Sequence, residues 1–174
     1  MRRLLLALSL GLAITPVTAS AMSRAFVFES DFTTGSLSFM DLSNRVRHCD
    51  VASVNSDARV RWYGGQLYVV NRFGGDNIQV VDPTSGSTLR QFSVGNGSNP
   101  YDIAFASATK AYVTRYESSD LWIVNPATGV HTGTVSLAAF ADADGIPEID
   151  HMITVGPLLF VSLQRVDRAH GFVE

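Results

Sequence analysis

Cysteine and lysine are the scarcest chemistry in this chain of 174 residues: Cys49 and Lys110 each stand alone. One thiol excludes an intrachain disulfide, so stability has to come from packing, and Cys49 is expected to be buried as a small apolar side chain. Lys and Arg together number 13 against 16 Asp and Glu, a formal charge of −3. That balance excludes the clustered cations by which a protein replaces the counterions of duplex nucleic acid, and it is unlike a polybasic membrane binder. With one lysine, the remaining cations are arginines, which suit planar hydrogen-bonded or stacked roles. The four histidines, His48, His131, His151 and His170, form no His-x-His or His-Glu-x-x-His pair, so zinc or copper has no local signature. A Gly-x-Ser-x-Gly elbow and a phosphate-cradling glycine loop are also missing, which weighs against an enzyme built on a familiar local motif.

Long apolar runs are equally rare. The run from Leu4 to Ile14 follows Arg2 and Arg3 and leads through Pro16 to Ala19-Ser20-Ala21. It is shorter than the roughly 20 residues that cross a bilayer, and the pattern is that of a secretory signal peptide cut after Ala21. Residues 1–21 are therefore expected to leave, with 22–174 forming the domain.

What the chain does have is a repeat. Tyr68-Val69-Val70-Asn71, followed by Val80-Val81-Asp82-Pro83 and Gly86, returns as Tyr112-Val113-Thr114-Arg115, followed by Ile123-Val124-Asn125-Pro126 and Gly129. A period of about 40 residues built from short alternating runs predicts blades of a β-propeller. Strands are expected at 58–62, 67–71, 78–82 and 89–94 in the clearest copy, with turns at Gly64-Gly65 and Pro83 to Gly86. A further copy runs through 102–105, 111–114, 121–125 and 133–137. Phe26 marks a weaker first copy, with strands at 25–28, 37–42 and 46–54, and Phe160 marks a later one, with strands at 152–155 and 158–163. The expected fold class is all-β, an incomplete propeller of about three four-stranded blades plus the start of a fourth, at roughly 25–56, 57–98, 99–149 and 150–174. Each blade has an apolar face that only a neighbour covers. The chain is accordingly read as the N-terminal portion of a longer propeller, or as one that completes its ring by association.

The Tyr68 and Tyr112 segments, the Asp82-Pro83 and Asn125-Pro126 turns, and Asn99-Pro100-Tyr101-Asp102-Ile103-Ala104-Phe105 resemble the YVTN-type β-propeller repeat over roughly residues 25 to 172. The resemblance implies an exported bacterial protein of the periplasm, surface layer or cell surface. It also implies that the strand at Ile103 lines a central channel, with the Tyr112, Leu121 and Val135 strands lying outward. Propellers usually bind at the channel mouth, which places the turns before the innermost strands in view.

Those turns contain Asn55 and Asp57, then Asn99 and Asp102, then Glu148, Asp150 and His151. Their Asp and Asn side chains either cap turns on their own backbone or form an acidic ring for a cationic or metal ligand. Arg72, Arg115 and Arg165 each follow a second strand. They either hold a carboxylate or phosphate in bidentate fashion or brace neighbouring blades. Asp142-Ala143-Asp144-Gly145 resembles the opening of a calcium loop, with Glu148 as a third ligand, although the full ligand spacing is absent. The expected function is an exported binding or scaffold module for a protein or small-molecule ligand of the bacterial envelope. Two alternatives stay open. One is a propeller enzyme of lactonase, lyase or dehydrogenase type with a metal-carboxylate centre at Asp102, Glu148, Asp150 and His151. The other is a propeller that binds single-stranded nucleic acid.

Overall fold

The computed structural model describes residues 23–167 and 170. The predicted leader, 1–21, lies outside the described residues. The rest is all-β apart from one 3-10 turn at Ala138–Phe140. Strands β1 (Arg24–Ser30), β2 (Gly35–Asp41) and β3 (Arg47–Val54) make the first sheet. The second sheet is β4 (Ala58–Tyr63), β5 (Gln66–Asn71), β6 (Asn77–Val81) and β7 (Thr88–Ser93). The third is β8 (Pro100–Ser107), β9 (Lys110–Arg115), β10 (Asp120–Asn125) and β11 (Val130–Ser136). A two-stranded fourth, β12 (Ile149–Val155) and β13 (Leu158–Leu163), closes the described series. Each sheet is an antiparallel meander in chain order. The first sheet has three described strands instead of the expected four. By the repeat register, β1 corresponds to β5, so the innermost position is the one unfilled.

Alternation along each second strand decides which sheet it meets. Leu67 and Val69 of β5 pack with Leu37 of the first sheet. Tyr68 and Val70 join Ile103, Ala111 and Val113 of the third. One sheet further on, Ala104 and Leu121 pack with Ile149 and Met152, flanked by Tyr112. Tyr68, Tyr112 and Phe160 thus point in the same direction along the stack. Tyr68 is 4% exposed, whereas Phe160 is 53% exposed, because no described sheet follows β12 and β13. Ile153, Val155 and Leu158 share that uncovered face.

The repeated Pro-x-x-Gly turns are set by close approach. Gly86 and Gly129 have φ of 75° and 79°, a region that suits glycine. A Cβ at Gly86 would stand 2.7 Å from Val51 of β3, and one at Gly129 would stand 2.6 Å from Phe92 of β7. Each turn is therefore pressed onto the outer strand of the preceding sheet. Arginines fasten the same seams: Arg24 Nη1 donates to the Pro83 carbonyl at 2.6 Å, and Arg90 Nε donates to the Pro126 carbonyl at 3.1 Å.

Cys49 is exposed, contrary to the sequence expectation. Its strand, β3, is the outermost of the first sheet and is half-buried at best along its length. No helix among the described residues is long and apolar enough to cross a membrane. The register predicts unequal costs for two matched truncations in the 174-residue chain. Tyr68→Ala is expected to lower unfolding free energy by about 3 kcal/mol or more, and Phe160→Ala by less than about 1 kcal/mol. Denaturant midpoints at unchanged slope measure both.

Candidate functional site

The innermost strands β4, β8 and β12 begin at one end of the stack, and one backbone bond recurs there. Arg72 N donates to Asp57 O at 2.8 Å, Tyr116 N to Asn99 O at 3.1 Å, and Gln164 N to Glu148 O at 3.2 Å. Each bond ties the residue after a second strand to the turn before the first. It makes Arg72, Tyr116 and Gln164 the equivalent trio. Arg72, Arg115 and Arg165 therefore do not share a repeat position, because Arg115 is the last residue of β9 and Arg165 lies one beyond Gln164. Arg115 is a brace: it donates to the Val94 carbonyl at 3.0 Å and to Asp120 at 2.6 Å, and it lies over the Trp122 ring. Arg165 is exposed with φ 52° and bonds to none of the described side chains.

Tyr101, the second residue of β8, is the centre of this end. The guanidinium carbons of Arg59 and Arg72 lie 4.0 and 3.9 Å from its ring centroid. His151 of β12 meets it edge-on at 5.0 Å between centroids, and Tyr116 is near-parallel at 5.6 Å. Three sheets thus contribute to one cluster. Arg72 Nη1 is paired with Asp57 at 2.7 Å. His151 Nδ1 is 2.6 Å from Asp150 Oδ1, and its Nε2 meets Arg59 Nη1. A guanidinium only donates, so Nε2 is the acceptor and the imidazole proton sits on Nδ1, toward Asp150. Ser162 Oγ and Gln164 Nε2 donate to the same carboxylate at 2.6 and 2.8 Å, and Tyr116 Oη donates to Gln164 Oε1 at 2.6 Å.

Asp102 is the next residue along β8, where the pairing with β9 slips between Pro100 and Ile103. Its side chain is fully buried. It accepts from Arg61 Nε and Nη2 at 2.7 and 2.9 Å and from the Met152 backbone N at 2.9 Å. One carboxylate therefore joins β4, β8 and β12, and it holds Arg61 protonated above its ordinary range. Thr114 Oγ1 accepts from the Asp102 backbone N at 2.6 Å. With both oxygens committed, Asp102 serves as a clamp between sheets.

Of the other turn residues, Asn55 caps its own turn, its Oδ1 accepting from Asp57 N at 2.8 Å. Asn99 and Glu148 are buried, and both occupy the left-handed region, with φ of 46° and 45°. Glu148 Oε2 accepts from Val166 N at 3.0 Å. At the calcium expectation, Asp142, Asp144 and Glu148, no group of three His, Cys, Asp or Glu side chains able to hold a metal ion occurs among the described residues. Asp142 Oδ1 instead accepts from Asp144 N, and Asp144 Oδ1 from Ile146 N. These are Asx turns, in which the carboxylates serve the local backbone.

Sequence reasoning missed Arg59 and Tyr101, because the repeat position they share with Asp150 holds a different residue type in each sheet. It also missed an amide cleft of about 290 Å³ lined by Asn55, Asn71, Asn77, Gln79 and Gln91. There Asn71 Nδ2 donates to Asn77 and Gln79, and Gln79 Nε2 donates to the Ser53 carbonyl and Thr88. These amides satisfy one another across the first seam, so the cleft is bracing.

Two predictions test this end of the molecule. Asp102→Ala strands the Met152 N–H and the Arg61 charge and is expected to cost about 3 kcal/mol of stability by denaturant titration. At Asp150, burial pushes the carboxyl up, but the hydrogen bonds of Ser162, Gln164 and His151 outweigh it and hold the group below its ordinary range. A depressed folded-state pKa contributes stability that is full above the unfolded value, about 4, and lost as pH falls through the folded one. The stability margin of wild type over Asp150→Asn is therefore expected at pH 7 and should close on acidification below about pH 4.

No protein-family model matches the chain, and no curated sequence does. Solved structures do. BamB from Moraxella catarrhalis superposes with a TM-score of 0.54 at 17% identity, covering 83% of this chain and 41% of that one. The dihydro-heme d1 dehydrogenase NirN gives a TM-score of 0.51 at 13% identity over 80% of this chain and 32% of that one. A chain of a nidogen/laminin complex gives a TM-score of 0.51 at 11% identity over 66% of this chain and 43% of that one. The chain spans less than half the length of each. These likenesses, with the all-β meanders, show a β-propeller fold whose four described sheets do not close a ring.

Proposed function

We propose that this chain belongs to an exported β-propeller that acts as a binding or scaffold module of the bacterial envelope, contacting its ligand where β4, β8 and β12 begin. The observation that carries the reading is the convergence of Arg59, Arg72, Tyr101 and His151 from three sheets on one half-exposed cluster. Aromatic and arginine side chains held together at a surface are the groups that dominate recognition energetics. The leader-like residues 1–21 and the YVTN-like repeat support export. The propeller neighbours include one seen in complex with a partner protein, which supports a scaffold role. Fold alone leaves chemistry open, and the site geometry supports the emphasis on binding.

Tyr101 is the residue to remove. Tyr101→Ala leaves the sheet seams in place, since Tyr101 belongs to none of the three apolar clusters. Immobilised wild-type protein is expected to retain a component of envelope extract that Tyr101→Ala releases. Equal retention by both proteins, or retention by neither above a scrambled-surface control, would discard the reading.

A further inference from the structure

Most arginines of the described sheets are committed to protein acceptors. Arg61 is held by Asp102, Arg90 by the Pro126 carbonyl and Gln66, Arg115 by Val94 and Asp120, and Arg24 by Asp41 and the Pro83 carbonyl. Arg59 differs. Its one hydrogen-bonded contact is the His151 ring, and it pairs with no carboxylate among the described residues. Its Nε and Nη2 bond to no protein acceptor, and the residue is half-exposed. Arg72 gives one nitrogen to Asp57, and its Nε is buried without an acceptor. Its Nη2 is neither bonded to protein nor enclosed. The Tyr101 hydroxyl likewise has no hydrogen-bond partner among the described residues.

The two guanidiniums are close. Both flank one ring centroid, so their central carbons are at most about 8 Å apart. Two like charges that near each other repel. Asp57 offsets part of the Arg72 charge, and Asp150, on the far side of the His151 ring, offsets part of that of Arg59. No carboxylate among the described residues bonds to Arg59 itself, because the ring, directed by Asp150, presents only a lone pair to it. A fixed, partly dried pair of forked donors, one of them with no carboxylate bonded to it, is the arrangement that recognises an oxyanion.

We infer that Arg59, Arg72 and Tyr101 form a binding site for an oxyanion group, a carboxylate or a phosphate, on the ligand of this end of the propeller. Arg59 supplies the fork with no carboxylate bonded to it, Arg72 the second donor, and Tyr101 the platform that holds both forks in place. The inference rests on the proposed binding role and narrows it to anionic ligands. It replaces an arginine triad at Arg72, Arg115 and Arg165 with a pair drawn from two different strand positions of one sheet.

The test uses the full chain with inorganic phosphate and with succinate, each against sodium chloride at matched ionic strength. Thermal unfolding is expected to shift upward with at least one of the two anions, and the active one identifies the source chemistry. Arg59→Gln is expected to weaken that anion's apparent affinity about tenfold, with Arg59→Lys intermediate and Arg165→Gln unchanged. Circular dichroism and the unliganded melting temperature verify that each variant folds. No shift with either anion, or an equal shift in wild type and Arg59→Gln, overturns the inference. Loss of envelope retention in Tyr101→Ala together with no anion response would overturn the oxyanion site alone and leave the binding role standing.

Discussion

Each sheet in this chain can bury only one of its faces by its own position in the sequence; the other waits for the sheet that comes next. Tyr68 and Phe160 make the constraint visible, since they share a register position and a chemistry and differ in whether a sheet follows. The gain from burying an aromatic ring is a few kcal/mol, so the stack is stable in proportion to its seams. Local devices follow from that constraint. A glycine is needed at Gly86 and Gly129 because the turn has to lie against the outer strand of the sheet before it. An arginine from that earlier sheet then satisfies the proline carbonyl exposed by the turn.

The polar clamps obey the same geometry from the inner side. Near the stack's axis the strands are close together and side-chain volume is limited, so a short carboxylate joins what a larger apolar group would force apart. Asp102 links three consecutive innermost strands with its two oxygens. The left-handed turns at Asn99 and Glu148 aim the chain into these strands. Glu148 accepts this backbone shape although it lacks the local preference of Asn or Gly, and its burial and its bond to Val166 N show what holds it there.

The repeat made the sheets legible, because alternation and period are properties of the backbone that survive substitution. The Tyr68 and Tyr112 strands and the two proline turns follow from that pattern. The site was only half legible. Asp57, Asp150, His151 and Arg72 stand where the turns place them, and their position at one end of the sheets could be read from the repeat. Treating the arginine near the end of each second strand as equivalent misassigned Arg115, because the strand β9 ends on that arginine whereas β5 ends on Asn71. Arg59 and Tyr101 share a repeat position with Asp150, but no residue type recurs there to mark it. Their meeting depends on how two sheets lean together, which no local pattern encodes. Cys49 erred for a related reason: an outermost strand has few neighbours whatever its composition.

The division between bracing and binding at this end can be argued from donor saturation. An arginine already bonded to buried carbonyls or carboxylates cannot turn to a ligand without leaving those acceptors unpaired, at about 1–3 kcal/mol for each. Arg61 would have to abandon Asp102 in a fully buried position, and Arg115 would have to abandon both Val94 and Asp120. Arg59 loses only a ring nitrogen that water can serve equally well. The cheapest donor to recruit is therefore also the one with no carboxylate bonded to it. Its neighbour Arg72 is tethered to Asp57 by a single nitrogen, which orients the fork and leaves another nitrogen facing outward. Pre-organisation of this kind lowers the ordering cost of binding. It does so here at the cost of one exposed bond between sheets, Arg59 to His151, and of none that is buried.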